Sequence, residues 1–287
     1  MEKWTIIKMI KWSQDFFSKH NIENPRLDAE ILLSYVMKMQ RFYLYVNFEK
    51  EMNEKQLADY KTLIKQRVNH VPVAYLVGYK HFMNIQLDVS PDVLIPRPDT
   101  ETLVDEVLQR LKKMLGNLKI ADIGTGSGAI AISIAKMNSN VTVDAVDISE
   151  KAIEIAKNNA VKNEVSDKIT FHVGNLFQSL NGQKFNAIVS NPPYIPSDVI
   201  DTLQLEVSKH EPRLALDGGT DGLNFYRRLI DESPEYLIED GFLAVEIGYD
   251  QAQSVKQLFE ANKRFNDIKV IKDLSHNDRV IVAYYGN

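Results

Sequence analysis

Three observations on the 287-residue sequence predict a Rossmann-like α/β fold, a mostly parallel sheet with helices on both faces, preceded by a small helical bundle and a β-hairpin. Strand-like and helix-like segments alternate from about residue 100 onward, as a parallel sheet with crossover helices requires. A glycine cluster, "DIGTGSG", lies between the first strand and the first helix of that alternation. Before about residue 70, apolar residues recur instead at three- and four-residue steps.

Taken in order, the helical part shows Ile6, Ile10 and Phe17, then Leu27, Ile31, Leu32, Tyr35 and Val36, then Leu57, Tyr60 and Ile64 as candidate buried stripes. Asn24 suits an N-cap and Pro25 a first helical position. The aromatic residues of this part are expected in its core. Residues 1–71 form the first predicted domain. Residues 72–95, rich in β-branched and aromatic side chains and broken at Gly78 and Asn84, read as a hairpin linker. In 96–287 a helix from Thr100 to Met114 precedes strands near Leu118–Asp122, Val141–Asp147, Ile169–Val173, Phe185–Ser190, Gly241–Ile247, Ile268–Lys272 and Val280–Tyr285. The helices between them are predicted near Ala129–Met137, Lys151–Asn163, Leu223–Leu237 and Ala252–Asn262. Only "DLSHNDR" separates the last two strands, so the final strand is expected to run antiparallel.

Composition narrows the function classes. With 44% hydrophobic and 25% charged residues the chain is ordinary globular material, and it contains no cysteine, which excludes disulfides, thiolate metal sites and a thiol nucleophile. No metal site is expected. The start, "MEKWTIIKMIKW", is interrupted by lysines and unlike a signal peptide, and no stretch approaches the ~18 apolar residues of a membrane span. A cytoplasmic protein without a membrane partner is expected. The net charge of −5 divides into +3 for residues 1–71 and −8 for the rest. An acidic second half argues against a nucleic-acid substrate.

The glycine loop, Gly124, Thr125, Gly126, Ser127 and Gly128, follows a strand and opens a helix, where backbone amides can approach a ligand. Asp147 ends the next strand about twenty positions on, the usual place for a carboxylate that accepts from ribose hydroxyls. The spacing is GxGxG, not the GxGxxG of a dinucleotide site. Two cofactors remain, a nicotinamide dinucleotide and S-adenosylmethionine. Asp122, just ahead of the glycines, favours the second, because a carboxylate repels pyrophosphate and tolerates an ammonium and a sulfonium. Asn175 and Leu176, in "GNLF", end the third strand and offer an acceptor and an apolar edge to adenine.

The sequence "NPPY", Asn191, Pro192, Pro193 and Tyr194, ends the fourth strand at the carboxyl edge of the sheet, where open α/β folds bind ligands. It suits a planar amino nitrogen as methyl acceptor. Such a nitrogen is a poor nucleophile until acceptors on its N–H groups localise the lone pair; the Asn191 side-chain oxygen and the Pro192 carbonyl are the two candidates. Paired prolines stiffen the turn and donate nothing. Tyr194 can stack on the flat substrate group.

These residues, with "RLDAEILL" at 26–33, "PVAYLVGYKHFM" at 72–83, "VLIPRPDTE" at 93–101, "HEPRLALDGGTDGLNFYR" at 210–227, "EIGYDQ" at 246–251 and "DLSHNDRV" at 273–280, make nearly the whole chain resemble the PrmC/HemK family. That family methylates the glutamine side-chain nitrogen in the Gly-Gly-Gln motif of class I peptide-chain release factors. The resemblance implies a class I S-adenosylmethionine-dependent methyltransferase. It implies cofactor contacts from Gly124 to Gly128, Asp147, Asn175, Leu176 and Asn191, and substrate contacts from Asn191 to Tyr194. Residues 1–71 would help dock the release factor. Arg97, Pro98 and Glu101 fall in a family motif, with Arg97 a candidate substrate contact and a linker-fixing role equally open. Glu211, Arg213 and Asp217 divide between an ion-pair network and a lid, and "DGGTDG" between a mobile and a tightly turned loop. The alternatives are a ribosomal-protein glutamine methyltransferase and an adenine-N6 nucleic-acid methyltransferase. A monomer is expected, since no heptad seam is evident.

Overall fold

The structure, a computed structural model, describes residues 3–286; Met1, Glu2 and Asn287, at the ends of the first and last predicted domains, lie outside the described residues. Helices α1 (Ile6–Lys19), α2 (Pro25–Met37), α3 (Arg41–Val46), α4 (Glu54–Val68) and α5 (Val73–Val77) lead into strands β1 (Tyr79–Phe82) and β2 (Ile85–Asp88). Then follow α6 (Thr100–Leu111), β3 (Leu118–Ile123), α7 (Ala129–Met137), β4 (Val141–Asp147), α8 (Glu150–Lys162), β5 (Ile169–Val173) and β6 (Phe185–Ser190). The chain closes with α9 (Leu205–His210), α10 (Asn224–Glu232), β7 (Leu237–Glu246), α11 (Ala252–Ala261), β8 (Phe265–Lys272) and β9 (Asp278–Tyr285).

Two compact units result. One contains the helices up to Gly78 together with residues 204–210; the other contains residues 79–203 and 211–287. In the helical unit, α1 buries Ile6, Met9, Ile10 and Phe17 along one stripe, as its spacing predicts. Helix α4 starts on a complete capping box between Asn53 and Gln56, a feature worth about 1 kcal/mol. Pro25 takes the first position of α2, but the side chain of Asn24 does not cap it.

Helix α2 departs from the predicted stripe. Its buried face is Asp28, Ala29, Glu30, Leu32, Leu33 and Met37, with Leu27 and Tyr35 exposed. The two carboxylates rotate the helix away from its most apolar face, because each has a cationic partner waiting: Asp28 accepts from Arg67 Nε at 2.7 Å, and Glu30 pairs with Arg26 and Arg41 at 2.9 and 3.2 Å. Arg67, itself buried, also pairs with Glu206 of α9, which explains why this short segment joins the helical unit. The aromatic residues divide as well. Phe17 and Tyr60 are core, whereas Trp12, Phe42, Tyr43, Tyr45 and Phe48 are exposed; the six-residue α3 buries only Leu44.

In the second unit a seven-stranded sheet runs in the order β5-β4-β3-β6-β7-β9-β8. The β3, β4, β5, β6 and β7 pairings are parallel, and β9 lies antiparallel between β7 and β8, as the short final connection predicts. Central strands are buried on both faces, and two apolar clusters sandwich the sheet, one around α6 and α7, the other around α10 and α11. Strand β7 begins at Leu237, four residues before the predicted start. The helix predicted through Leu237 ends at Glu232, followed by a 3₁₀ turn over Ser233–Glu235, where Pro234 removes a helical donor. The predicted hairpin forms as β1 and β2, with α5 ahead of it and Gly78 as its left-handed cap.

Candidate active site

From β3 the chain turns to β4 and β5 on one side, then returns to place β6 on the other side of β3. Ligands of open α/β sheets bind at such a switch point. The register aligns Ile123 with Ser190, so the residues that follow each, Gly124 and Asn191, emerge side by side. Ser190 Oγ donates to the Ile123 carbonyl at 2.6 Å and locks the two exits together.

A cavity of about 350 Å³ opens there, within the roughly 300–1,000 Å³ of small-molecule sites. Gly124, Gly126, Asp147, Asn175, Leu176, Asn191, Pro192 and Pro193 all line it. Thr125, Ser127 and Gly128 lie behind the lining. The loop has positive φ at its three glycines, +55° at Gly126, and a Cβ at Gly126 would meet no atom within 4 Å. The backbone here therefore presents itself bare to the cavity.

The loop is held from beneath by carboxylates and one amide. Asp122, fully buried, accepts from Thr125 Oγ1 at 2.6 Å and from the Ala131 amide at 3.1 Å. Its Oδ1 has no partner, and burial pushes its pKa up to about 7. Asp122 does not line the cavity, so its part is to brace the loop and not to meet a ligand's charge. Asp147 accepts from Gly126 N and Ser149 N, both at 2.9 Å, and burial raises its pKa also. Asn159 of α8 donates to the Ser127 carbonyl at 2.9 Å and exchanges two bonds with the Asp88 backbone. At the β5 end, Asn175 Oδ1 accepts from Arg228 Nη1 at 3.0 Å, a partner 53 positions away that no local pattern announces.

Across the cavity, Asn191 Nδ2 donates to Thr100 Oγ1 at 3.0 Å. Tyr194 does not line the cavity. Its ring packs partly buried on the α10–α11 side of the sheet, burial drives its pKa up to about 12, and its carbonyl accepts from Gln251 Nε2 at 2.9 Å. Arg97 also lies off the lining and pairs with Glu211 at 2.5 Å, while Glu211 Oε2 accepts from the Ile95 amide. Glu101 accepts from the Met83 amide at 2.7 Å and so holds the β1–β2 turn. Arg213 pairs with Asp201 and Asp217. The "DGGTDG" loop is tightly turned: Asp217 accepts from Ser197 Oγ and Gly219 N, and a Cβ at Gly222 would lie 2.4 Å from the Tyr194 carbonyl, so only glycine fits. Sequence reasoning missed Thr100, Arg228 and Glu246, the last residue of β7; Thr100 and Glu246 stand in "VLIPRPDTE" and "EIGYDQ", but no local pattern gives either a role.

A Rossmann-like sheet whose glycine loop and Asn-Pro-Pro turn open on one cavity defines a methyltransferase. The PrmC N-terminal domain matches residues 8–78 and the methyltransferase small domain residues 99–208. A release factor glutamine methyltransferase of Geobacter sulfurreducens is 41% identical over 99% of this chain and 98% of its own length. One from Rhodopirellula baltica is 42% identical over 97% of this chain and 95% of its own. The chain belongs to the family of release factor glutamine methyltransferases. A methyltransferase structure from Pyrococcus furiosus, 20% identical, shares the fold with a TM-score of 0.52 over 72% of this chain and 92% of that one. No helix among the described residues is long and apolar enough to cross a membrane, and no cluster of three or more His, Asp or Glu there could hold a metal ion.

Proposed function

We propose that the protein transfers the methyl group of S-adenosylmethionine to the side-chain amide nitrogen of the glutamine in the Gly-Gly-Gln motif of class I release factors, acting as a cytoplasmic monomer. The observation that carries this reading is the shared cavity: the bare backbone of Gly124 and Gly126, Asp147, and Asn191 to Pro193 all line it.

The residues fit the cofactor. Gly124 and Gly126 leave room for close approach, Asp147 offers lone pairs to ribose hydroxyls, and Asn175 and Leu176 offer a polar and an apolar edge to adenine. When bound, the cofactor supplies an electrophilic methyl group on a sulfonium. Asn191 Oδ1 and the Pro192 carbonyl accept the two N–H bonds of the glutamine amide and turn its lone pair out of conjugation. Pro193 has no N–H with which to compete. Catalysis then rests on positioning and preorganised acceptors, and the acidic nitrogen formed by methylation sheds its proton without a strong base. The exposed aromatics of α1 and α3, Trp12, Phe42, Tyr43 and Tyr45, support the helical unit as the docking surface for the release factor.

Labelled S-adenosylmethionine offered with an intact release factor, the same factor with its Gly-Gly-Gln glutamine changed to alanine, ribosomal protein and nucleic acid tests the reading. Label on the intact factor alone is expected, and Asn191→Ala should lower it by at least about a hundredfold. Label on ribosomal protein or nucleic acid alone would overturn the choice of substrate.

A further inference from the structure

Glu246, the last residue of β7, is 1% exposed, and its Oε2 has no hydrogen-bond partner. Thr100, the first residue of α6, is 4% exposed and receives the Asn191 carboxamide. Ser190 of β6 pairs with Val245 of β7, so Asn191 and Glu246 follow at adjacent positions of neighbouring strands, and the Thr100 and Asn191 side chains both favour the ionised form of the Glu246 carboxyl. Two chain-distant groups thus meet at the Asn191 side chain, and neither Thr100 nor Glu246 reaches the cavity lining.

A carboxamide can face a cavity with its oxygen or its nitrogen, and only the oxygen can accept from a substrate N–H. With Nδ2 committed to Thr100, Oδ1 points away from it. The threonine hydroxyl has a single proton; if that proton is given to Glu246, its oxygen can only accept from Asn191. Resting on the function proposed above, we infer that Thr100 and Glu246 are positioning residues that set the direction of the Asn191 carboxamide and so keep its oxygen turned to the substrate nitrogen. Were Glu246 to carry a proton, it would donate to Thr100, free the threonine proton for Asn191 Oδ1, and allow the amide to turn over.

The charged surroundings of Glu246 come from several elements. Burial raises its pKa to about 7, Thr100 lowers it, Arg279 of β9 lowers it, and Asp99 ahead of α6 raises it. Arg279 is in turn engaged by Asp99 at 3.1 Å and by Asp273 at 3.2 Å, which leaves it a shared and not a dedicated partner for Glu246. The remaining titratable neighbours are Tyr194, pushed up to about 12, and Tyr226 of α10, raised well above its ordinary value by burial and donating to the Glu246 carbonyl at 2.9 Å; both remain neutral throughout the range in question.

The test measures kcat with release factor and S-adenosylmethionine saturating, alongside calorimetric binding of S-adenosylhomocysteine. Thr100→Val keeps the shape and removes the acceptor; it should lower kcat about tenfold or more and change cofactor-product affinity less than about twofold, with Thr100→Ser restoring most of the rate. For wild type, kcat should fall as the pH drops below about 7. In Glu246→Gln, whose amide oxygen still accepts from Thr100, that acid limb should disappear. An unchanged kcat in Thr100→Val, an equal loss in Thr100→Ser, or a wild-type acid limb in Glu246→Gln would each overturn the inference. Should Asn191→Ala retain full activity, the proposed chemistry falls and this inference with it; should Asn191→Ala be inactive and Thr100→Val fully active, only the positioning role falls.

Discussion

Two buried carboxylates flank the strand that delivers Asn191, and they brace different things. Asp122, on β3, holds backbone: its acceptor oxygen gathers Thr125 and the Ala131 amide, and through them the glycine loop and the start of α7. Glu246, on β7, faces side chains, those of Thr100 and Asn191. Burial pushes both to about 7, and each keeps one oxygen without a partner. The difference teaches that one physical device, a desolvated carboxyl at the carboxyl edge of a sheet, can serve either to shape a binding loop or to orient a reacting group, depending on whether its neighbours are main chain or side chain.

The largest expected effect breaks or upholds the shared part of that comparison. The folded pKa of each carboxyl lies above its ordinary value of 3.8 or 4.5. Between those values and about 7 the native state therefore binds more protons than the unfolded chain, so stability is full at acid pH and declines as the pH rises through 7. Each group should contribute a loss on the order of 3 kcal/mol across that window. Denaturant unfolding at a series of pH values should show the decline, and Asp122→Asn or Glu246→Gln should each flatten it; an unchanged slope in both would mean that neither carboxyl is raised as described.

Next in size is the second brace under the glycine loop. Asn159→Ala would leave the Ser127 carbonyl and both Asp88 backbone groups without their partner, at a cost of about 2–3 kcal/mol in urea unfolding. A smaller effect separates the two carboxylates directly. Asp122→Ala should weaken S-adenosylhomocysteine binding about tenfold, near 1.4 kcal/mol, whereas Glu246→Ala should change it less than about twofold. Equal weakening in calorimetry would erase the distinction between backbone and side-chain bracing. The smallest is a surface control. Asp221, held down to about 2 by its two bonds from Arg227, is exposed and screened, so Asp221→Asn should cost less than about 1 kcal/mol of stability.

The sequence by itself determined the parts whose chemistry is local. Strand and helix alternation, the glycine loop between β3 and α7, and the Asn-Pro-Pro turn after β6 follow from side-chain period, from glycine's access to positive φ and from proline's missing donor, all properties of a few adjacent residues. Because β-strands end where such residues begin, the cavity-lining positions Gly124, Gly126, Asp147, Asn175 and Asn191 could be named in advance. Only the tertiary structure decided what stands behind them. Thr100 meets Asn191 across 91 positions, Arg67 draws Glu206 across 139, and Arg228 reaches Asn175 across 53. The same long-range pairing turned α2 toward its acids and away from its apolar stripe, and moved Asp122 from a ligand's neighbourhood to the underside of the loop. The reason is physical: a buried charge is tolerable only where folding has brought it a partner, and that partner's place in the chain is set by the topology of the sheet and not by any local repeat.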